Sequence, residues 1–121
     1  MEAQKRVLIV DDEPKMLRFS RIALTAAGYL VITTTSGEDS LRLAREEKPD
    51  IMLLDVLMTP LSGFDVLEKL RTFSQVPVIV FTARSLIAEE AMKLGANGVL
   101  AKPFRPEELV RKVGEVLGKT I

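Results

Sequence analysis

Ile51-Met52-Leu53-Leu54-Asp55 is an apolar run closed by one carboxylate, long enough for a strand buried on both faces and too short for a helix. One Asp after a strand carries little weight, because Asp also caps helices and opens turns. The pattern gains weight by repetition. Val7-Leu8-Ile9-Val10 runs into Asp11-Asp12, Val78-Ile79-Val80-Phe81 into Thr82, and Gly98-Val99-Leu100-Ala101 into Lys102-Pro103. In a parallel sheet these polar groups share one edge, outside the carboxyl ends of the strands, where open α/β folds bind ligands.

Working outward, the segments between these runs read as helices. The first strand, Arg6 to Val10, leads into Asp11-Asp12-Glu13-Pro14, and Pro suits a first helical turn. Met16, Leu17, Phe19, Ile22, Ala23 and Ala26 then recur at helical spacing until Gly28. Leu30 to Thr34 is a β-branched second strand. Ser36-Gly37-Glu38 opens a second helix that stops before Lys48-Pro49. After the third strand, Ile51 to Leu54, a loop from Val56 to Gly63 precedes a third helix marked by Phe64, Val66, Leu67 and Leu70. The fourth strand is Val78 to Phe81, and a fourth helix covers about Leu86 to Leu94, closed by Gly95. Pro106-Glu107-Glu108 starts a last helix with a stripe of Leu109, Val110, Val113, Val116 and Leu117. Five strands alternating with five helices predict βαβ units and a doubly wound α/β fold. Right-handed crossovers leave few topologies. In the order 2-1-3-4-5, Asp11, Asp12 and Asp55 meet in the crevice between the first and third strands.

The 121 residues contain no composition break, which predicts a single domain over 1–121. Seventeen basic residues balance seventeen acidic ones, so no basic field argues for nucleic acid. The sequence has neither Cys nor His. That removes disulfides, thiolate and imidazole catalysis and the usual zinc sites. A metal would have to sit on oxygen ligands, as a hard cation such as Mg²⁺ does. No apolar run approaches the roughly 20 residues of a membrane-spanning helix, and the N-terminal residues lack a signal-peptide core. A cytoplasmic location is therefore expected.

Taken together and in this order, Asp11-Asp12, Asp55, Thr82 and Lys102-Pro103 resemble a bacterial response-regulator receiver domain. The resemblance covers nearly the whole chain and implies a flavodoxin-like fold. It implies phosphoryl transfer from a phosphohistidine of a sensor histidine kinase, or of a histidine phosphotransfer protein, onto Asp55. The chain would be a self-catalysed phosphoacceptor rather than a turnover enzyme. By resemblance, Asp12 and Asp55 are direct ligands of Mg²⁺, with Mn²⁺ as a substitute. Asp11 acts mainly through water, and the backbone carbonyl of Leu57 supplies another oxygen. Physical chemistry agrees, since three carboxylates within a few ångströms repel one another unless a cation sits among them. Lys102 would stabilise charge on the phosphoryl oxygens, and Thr82 would donate its hydroxyl to one of them. Ala83, small and next to Thr82, would leave room for the donor. Movement of Thr82 would change the surface of the fourth helix, fifth strand and fifth helix. Lys102-Pro103 resembles the family's lysine followed by a cis peptide.

The sequence also departs from the family's pattern. Val99 stands where an aromatic or His usually answers the threonine, which implies either weaker coupling or coupling carried by Phe81, Leu100 or Phe104. The stretch from Thr82 to Lys102 is shorter than usual, and Met58-Thr59-Pro60 puts Pro one place late. Ser62 replaces an Asp common before the glycine, and Asn97 replaces a frequent Asp on the output face. Leu57 and Arg84 would flank the acyl phosphate. An apolar Leu57 cannot orient an attacking water, so phosphate loss is expected to be slow relative to Leu57→Asn.

Other readings compete. Asp11-Asp12 could simply cap the first helix, Thr82 could be an ordinary strand end, and Lys102 a solvated amine. A degenerate receiver that only docks a partner is the alternative within the family. An Asp-nucleophile phosphatase of the haloacid dehalogenase type needs an Asp-x-Asp pair, where this chain has Asp11-Asp12-Glu13. Nucleotide or flavin binding lacks a Gly-rich loop after the first strand. The family resemblance also admits a chain that is the N-terminal part of a longer regulator, with a downstream effector domain or protein, and a phosphorylation-dependent homodimer. Direct contact with nucleic acid or membrane is not expected of residues 1–121.

Overall fold

Central strands built from near-continuous apolar runs need cover on both faces, and this chain supplies it with two helices on one face and three on the other. In a computed structural model, which describes residues 4–56, 62–82 and 85–119, the strands are β1 (Arg6–Val10), β2 (Leu30–Thr34), β3 (Ile51–Asp55), β4 (Val78–Thr82) and β5 (Gly98–Ala101). The helices are α1 (Pro14–Ala26), α2 (Gly37–Glu46), α3 (Gly63–Leu70), α4 (Ser85–Lys93) and α5 (Pro106–Lys119). All strand pairs are parallel and the sheet order is β2-β1-β3-β4-β5, as expected from the sequence.

Alternation along each strand divides the core into two layers. Val7, Ile9, Ile51, Leu53, Ile79 and Phe81 pack with Leu17 and Leu24 of α1 and with Leu109, Val113 and Val116 of α5. Leu8, Val10, Met52, Leu54, Val78 and Val80 face the other way, onto Ala44 of α2, Val66, Leu67 and Leu70 of α3 and Ala91 of α4. Each such aliphatic side chain contributes about 1.5–3 kcal/mol on burial. A one-residue slip of any central strand would exchange the two layers, so the register is strongly specified. Asp50 helps to set it: its carboxylate accepts the Arg6 N–H at 2.7 Å, while its own N–H donates to the Arg6 carbonyl at 2.9 Å.

Several boundaries move from their expected places. Asp55 and Thr82 are the last residues of β3 and β4, not the first of the loops, because the ladder continues through Asp55 opposite Phe81 and Thr82 opposite Ala101. Gly63, expected in the loop, begins α3 with Ser62 as its N-cap, whose hydroxyl accepts the Asp65 N–H at 3.2 Å. Ser62 thus does the capping work that an Asp would do. Helix α4 starts one residue earlier and ends one residue earlier than read from its apolar spacing. Its stop is as expected. Gly95 takes a φ of +102°, the Gly95 N–H donates to the Met92 carbonyl and the Ala96 N–H to that of Ala91, which is a Schellman motif.

Candidate functional site

The sheet order brings the carboxyl ends of β1, β3, β4 and β5 side by side, with Val10 opposite Leu54, Asp55 opposite Phe81 and Thr82 opposite Ala101. Every polar group at that edge therefore lies within one or two strand spacings of Asp55. Carboxylate oxygens of Asp11, Asp12 and Asp55 lie within 4.8 Å of one another. Asp11 and Asp55 are buried and Asp12 is exposed. Burial of two acids without compensation would be costly. Compensation comes from Lys102, which follows β5 directly: its Nζ lies 3.3 Å from Asp11 Oδ2 and 3.5 Å from Asp55 Oδ1. Among the described residues, three carboxylates against the Lys102 ammonium leave an excess of negative charge.

The backbone holds these side chains in place. The Lys102 N–H donates to the Thr82 carbonyl at 2.8 Å, the Asp11 N–H to that of Thr34 at 3.2 Å, and the Val56 N–H to that of Phe81 at 3.3 Å. Thr82 itself is buried. The Lys102–Pro103 peptide is cis, as the resemblance implies. Asp11 also satisfies part of the bland reading, since its Oδ1 accepts the Glu13 N–H at 2.9 Å at the entry to α1. The capping position belongs to Glu13, whose side chain makes no cap. One oxygen of Asp11 shapes the turn and the other faces Lys102.

This donor set fits a hard divalent cation. The three acids offer only carboxylate oxygens, and the exposed Asp12 opens the cluster to the waters that Mg²⁺ would retain in its shell. A surface hollow of about 680 Å³ along α2, lined by Ser36, Glu38, Asp39, Leu41, Arg42, Arg45 and Glu46, includes none of these groups. Concavity is therefore a poor guide to the chemistry of this molecule.

The remaining sequence-predicted positions divide. Val99 is half-buried and packs on the layer of α2, α3 and α4. Phe104 is buried in the opposite layer, with its ring centroid 5.0 Å from that of Phe81 and 5.9 Å from that of Phe19. Leu57, Ala83 and Arg84 lie outside the described residues. Two sets of contacts had no reading in the sequence. Gly63 sits against the Asp55 backbone, where a Cβ would collide with the Asp55 carbonyl oxygen and come within 2.7 Å of Val56 Cα. Arg71, just beyond α3, gathers the carbonyls of Ser74, Val76 and Gly95 and the side chain of Asn97. A glycine after Ser62 is ambiguous between loop and helix start, and a lone Arg at a helix end gives no sign of its partners.

A family model described as the response regulator receiver domain matches residues 7–114. The chain is 38% identical over 122 residues to a probable transcriptional regulator ycf27 of Guillardia theta, covering 99% of this chain and 48% of that protein. It is 42% identical over 109 residues to the transcriptional regulatory protein KdpE of Mycobacterium tuberculosis, covering 88% of this chain and 48% of that protein. The chain spans about half the length of the curated relatives it matches. Among solved structures, the chemotaxis protein CheY4 of Vibrio cholerae superposes with a TM-score of 0.89 at 32% identity, covering 94% of this chain and 99% of that one.

Proposed function

This chain belongs to the response regulator receiver domain family, and on that footing we propose that Asp55 is the phosphoacceptor of a two-component relay. Receivers of this family serve phosphorylation-based signalling. The observation that carries the reading is the meeting of the Asp11, Asp12 and Asp55 oxygens within 4.8 Å, with the Lys102 ammonium at 3.3 and 3.5 Å from two of them.

A carboxylate oxygen of Asp55 attacks the phosphorus of a phosphohistidine on a sensor kinase or histidine phosphotransfer protein. The P–N bond breaks, the departing imidazole nitrogen takes up a proton, and an aspartyl phosphate forms. Asp12, Asp55 and the backbone carbonyl of Leu57, with Asp11 acting mainly through water, would hold Mg²⁺ or Mn²⁺, which would supply positive charge against the phosphoryl oxygens. Lys102 exchanges a carboxylate partner for a phosphoryl oxygen and so needs no long reorganisation. Thr82 donates its hydroxyl to another, and Ala83 beside it leaves room for the donor.

Movement of Thr82 alters the surface of α4, β5 and α5, with Val99 and Phe104 as the side chains that adjust. The output passes to an effector domain or protein, a reading supported by relatives named as transcriptional regulators, of which the chain spans about half. Residues 1–121 act as one receiver domain in the cytoplasm, without direct contact to nucleic acid. No helix among the described residues is long and apolar enough to cross a membrane.

The test is intact mass after incubation with acetyl phosphate, with and without Mg²⁺, for the native chain and Asp55→Asn. One added phosphoryl group that requires both Mg²⁺ and Asp55 is expected. No gain from acetyl phosphate or from a histidine-phosphorylated kinase, with the fold intact, would leave a module that only docks a partner.

A further inference from the structure

A lysine side chain has a long flexible stem with about 2 kcal/mol of rotamer entropy, so something must hold the Lys102 ammonium over the acidic cluster. Asp11 and Asp55 attract it, but attraction alone does not define one path for the stem. Phe81 provides a wall. Its ring is fully buried, and its centroid lies 6.0 Å from Lys102 Nζ, at the outer reach of a cation–π contact. The backbone of Phe81 is paired on one side with Asp55 and on the other with Leu100. The ring is thus fixed relative to both the carboxylate and the strand that carries the lysine.

A second ring fixes the first. Phe104, two residues beyond Lys102, stacks on Phe81 at 5.0 Å with the planes inclined at 46°. Phe19 of α1 backs Phe104 at 5.9 Å and 58°. Tilted pairs at these separations are favourable arrangements of aromatic quadrupoles. We infer that Phe81 and Phe104 are positioning residues for Lys102: the Phe81 ring, braced by Phe104, faces the lysine ammonium and helps to keep it between Asp11 and Asp55. Phe19 holds Phe104 against Phe81 from the helix side. The inference deepens the phosphoacceptor reading and rests on it for its meaning, though not for its test.

The test labels lysines in the metal-free protein with limiting acetic anhydride and follows each site by peptide mass spectrometry, for the native chain, Phe81→Leu and Phe104→Leu. Lys102 is expected to react about 2- to 5-fold faster in either variant, the range set by a cation–π contact of ordinary strength, while Lys69 and Lys93 keep their native rates and report an intact fold. A Lys102 rate unchanged in both variants would overturn the inference, as would equal acceleration at all lysines. A second arm measures the initial rate of phosphorylation by acetyl phosphate. Both Leu variants are expected to be slower in the native background and without further effect in Lys102→Ala, because residues that act through one group are not additive. Equal slowing in both backgrounds would mean that the rings act on the fold and not on the lysine. If the native chain takes no phosphoryl group, the second arm counts against the phosphoacceptor reading, while the labelling arm still decides the role of the rings.

Discussion

Gly63 and Asp55 are in backbone contact: a Cβ at residue 63 would overlap the Asp55 carbonyl oxygen, and the Gly63 N–H donates to the Val56 carbonyl at 2.9 Å. The first turn of α3 therefore rests directly on the strand end that carries the proposed nucleophile. Gly63→Ala must push the helix away or twist the end of β3. Overpacking of this kind costs typically about 1–3 kcal/mol. Urea denaturation of the variant is expected to show a loss in that range, and phosphorylation of Asp55 is expected to slow because its carboxylate is displaced. Native stability in Gly63→Ala would show that the strand end yields freely.

The acidic cluster sets the second prediction. With Asp11, Asp12 and Asp55 oxygens within 4.8 Å, repulsion among them opposes folding unless a cation is bound. The metal-free protein should become more stable on replacing exposed Asp12 by Ala, since Lys102 already faces the other two acids. Mg²⁺ should stabilise the native chain by about 2.7 kcal/mol at a hundred times its dissociation constant. That gain should largely vanish in Asp12→Ala. Thermal melts with EDTA and with Mg²⁺ decide it, and an equal Mg²⁺ shift in both proteins would remove Asp12 from the ligand set.

Much of this site could be read from the chain because its chemistry depends on strand ends, and strand ends are visible as apolar runs that stop. Asp55, Thr82 and Lys102 each follow or close such a run, so the parallel topology alone assembles them. Contacts made through the core leave no such signature. Phe81 and Phe104 look like any core aromatics until their ring separations are known, and Gly63 differs from a loop glycine only by what its missing Cβ would strike. Helix ends were off by a residue where apolar spacing had to stand in for capping, as at α4. Asn97 likewise gives no sign in the sequence that its Oδ1 accepts hydrogen bonds from both Arg71 and the Val78 N–H.

Ser20 provides a prediction about stability alone. It is fully buried on α1, and its hydroxyl has no hydrogen-bond partner among the described residues. An unsatisfied buried hydroxyl costs about 1–3 kcal/mol, and Ala is also the better helix former. Ser20→Ala is expected to raise the urea midpoint by the equivalent of about 1 kcal/mol with an unchanged slope. Phosphorylation should be unaffected, since Ser20 belongs to neither the cluster nor the rings. A lower midpoint would mean that the hydroxyl has a bound water for a partner.

Arg71 and Asn97 together tie the end of α3 and the loop after it to the turn before β5 and to the start of β4. The guanidinium donates to the Gly95 carbonyl at 2.8 and 3.2 Å, to Val76 at 2.8 Å, to Ser74 at 3.2 Å and to Asn97 Oδ1 at 3.0 Å. That same Oδ1 accepts the Val78 N–H at 2.9 Å, where β4 begins. Burial pushes the Arg71 pKa down, because desolvation disfavours its charge, yet an arginine remains protonated across the neutral range. Its contribution in the native chain should therefore not vary with pH near neutrality. Arg71→Lys keeps the charge and loses the planar fork, and should cost about 2 kcal/mol in charge-assisted hydrogen bonds. Asn97→Asp keeps both accepted bonds and turns one into an ion pair, so it should stabilise the fold. Arg71 would hold that new carboxylate below its ordinary pKa, so the gain should be fully present above the unfolded value of about 3.9 and be lost as pH falls through the lower, folded one. Denaturation of Asn97→Asp at neutral and acid pH measures this directly. A destabilised variant at neutral pH would show that the carboxylate's desolvation outweighs the pair with Arg71.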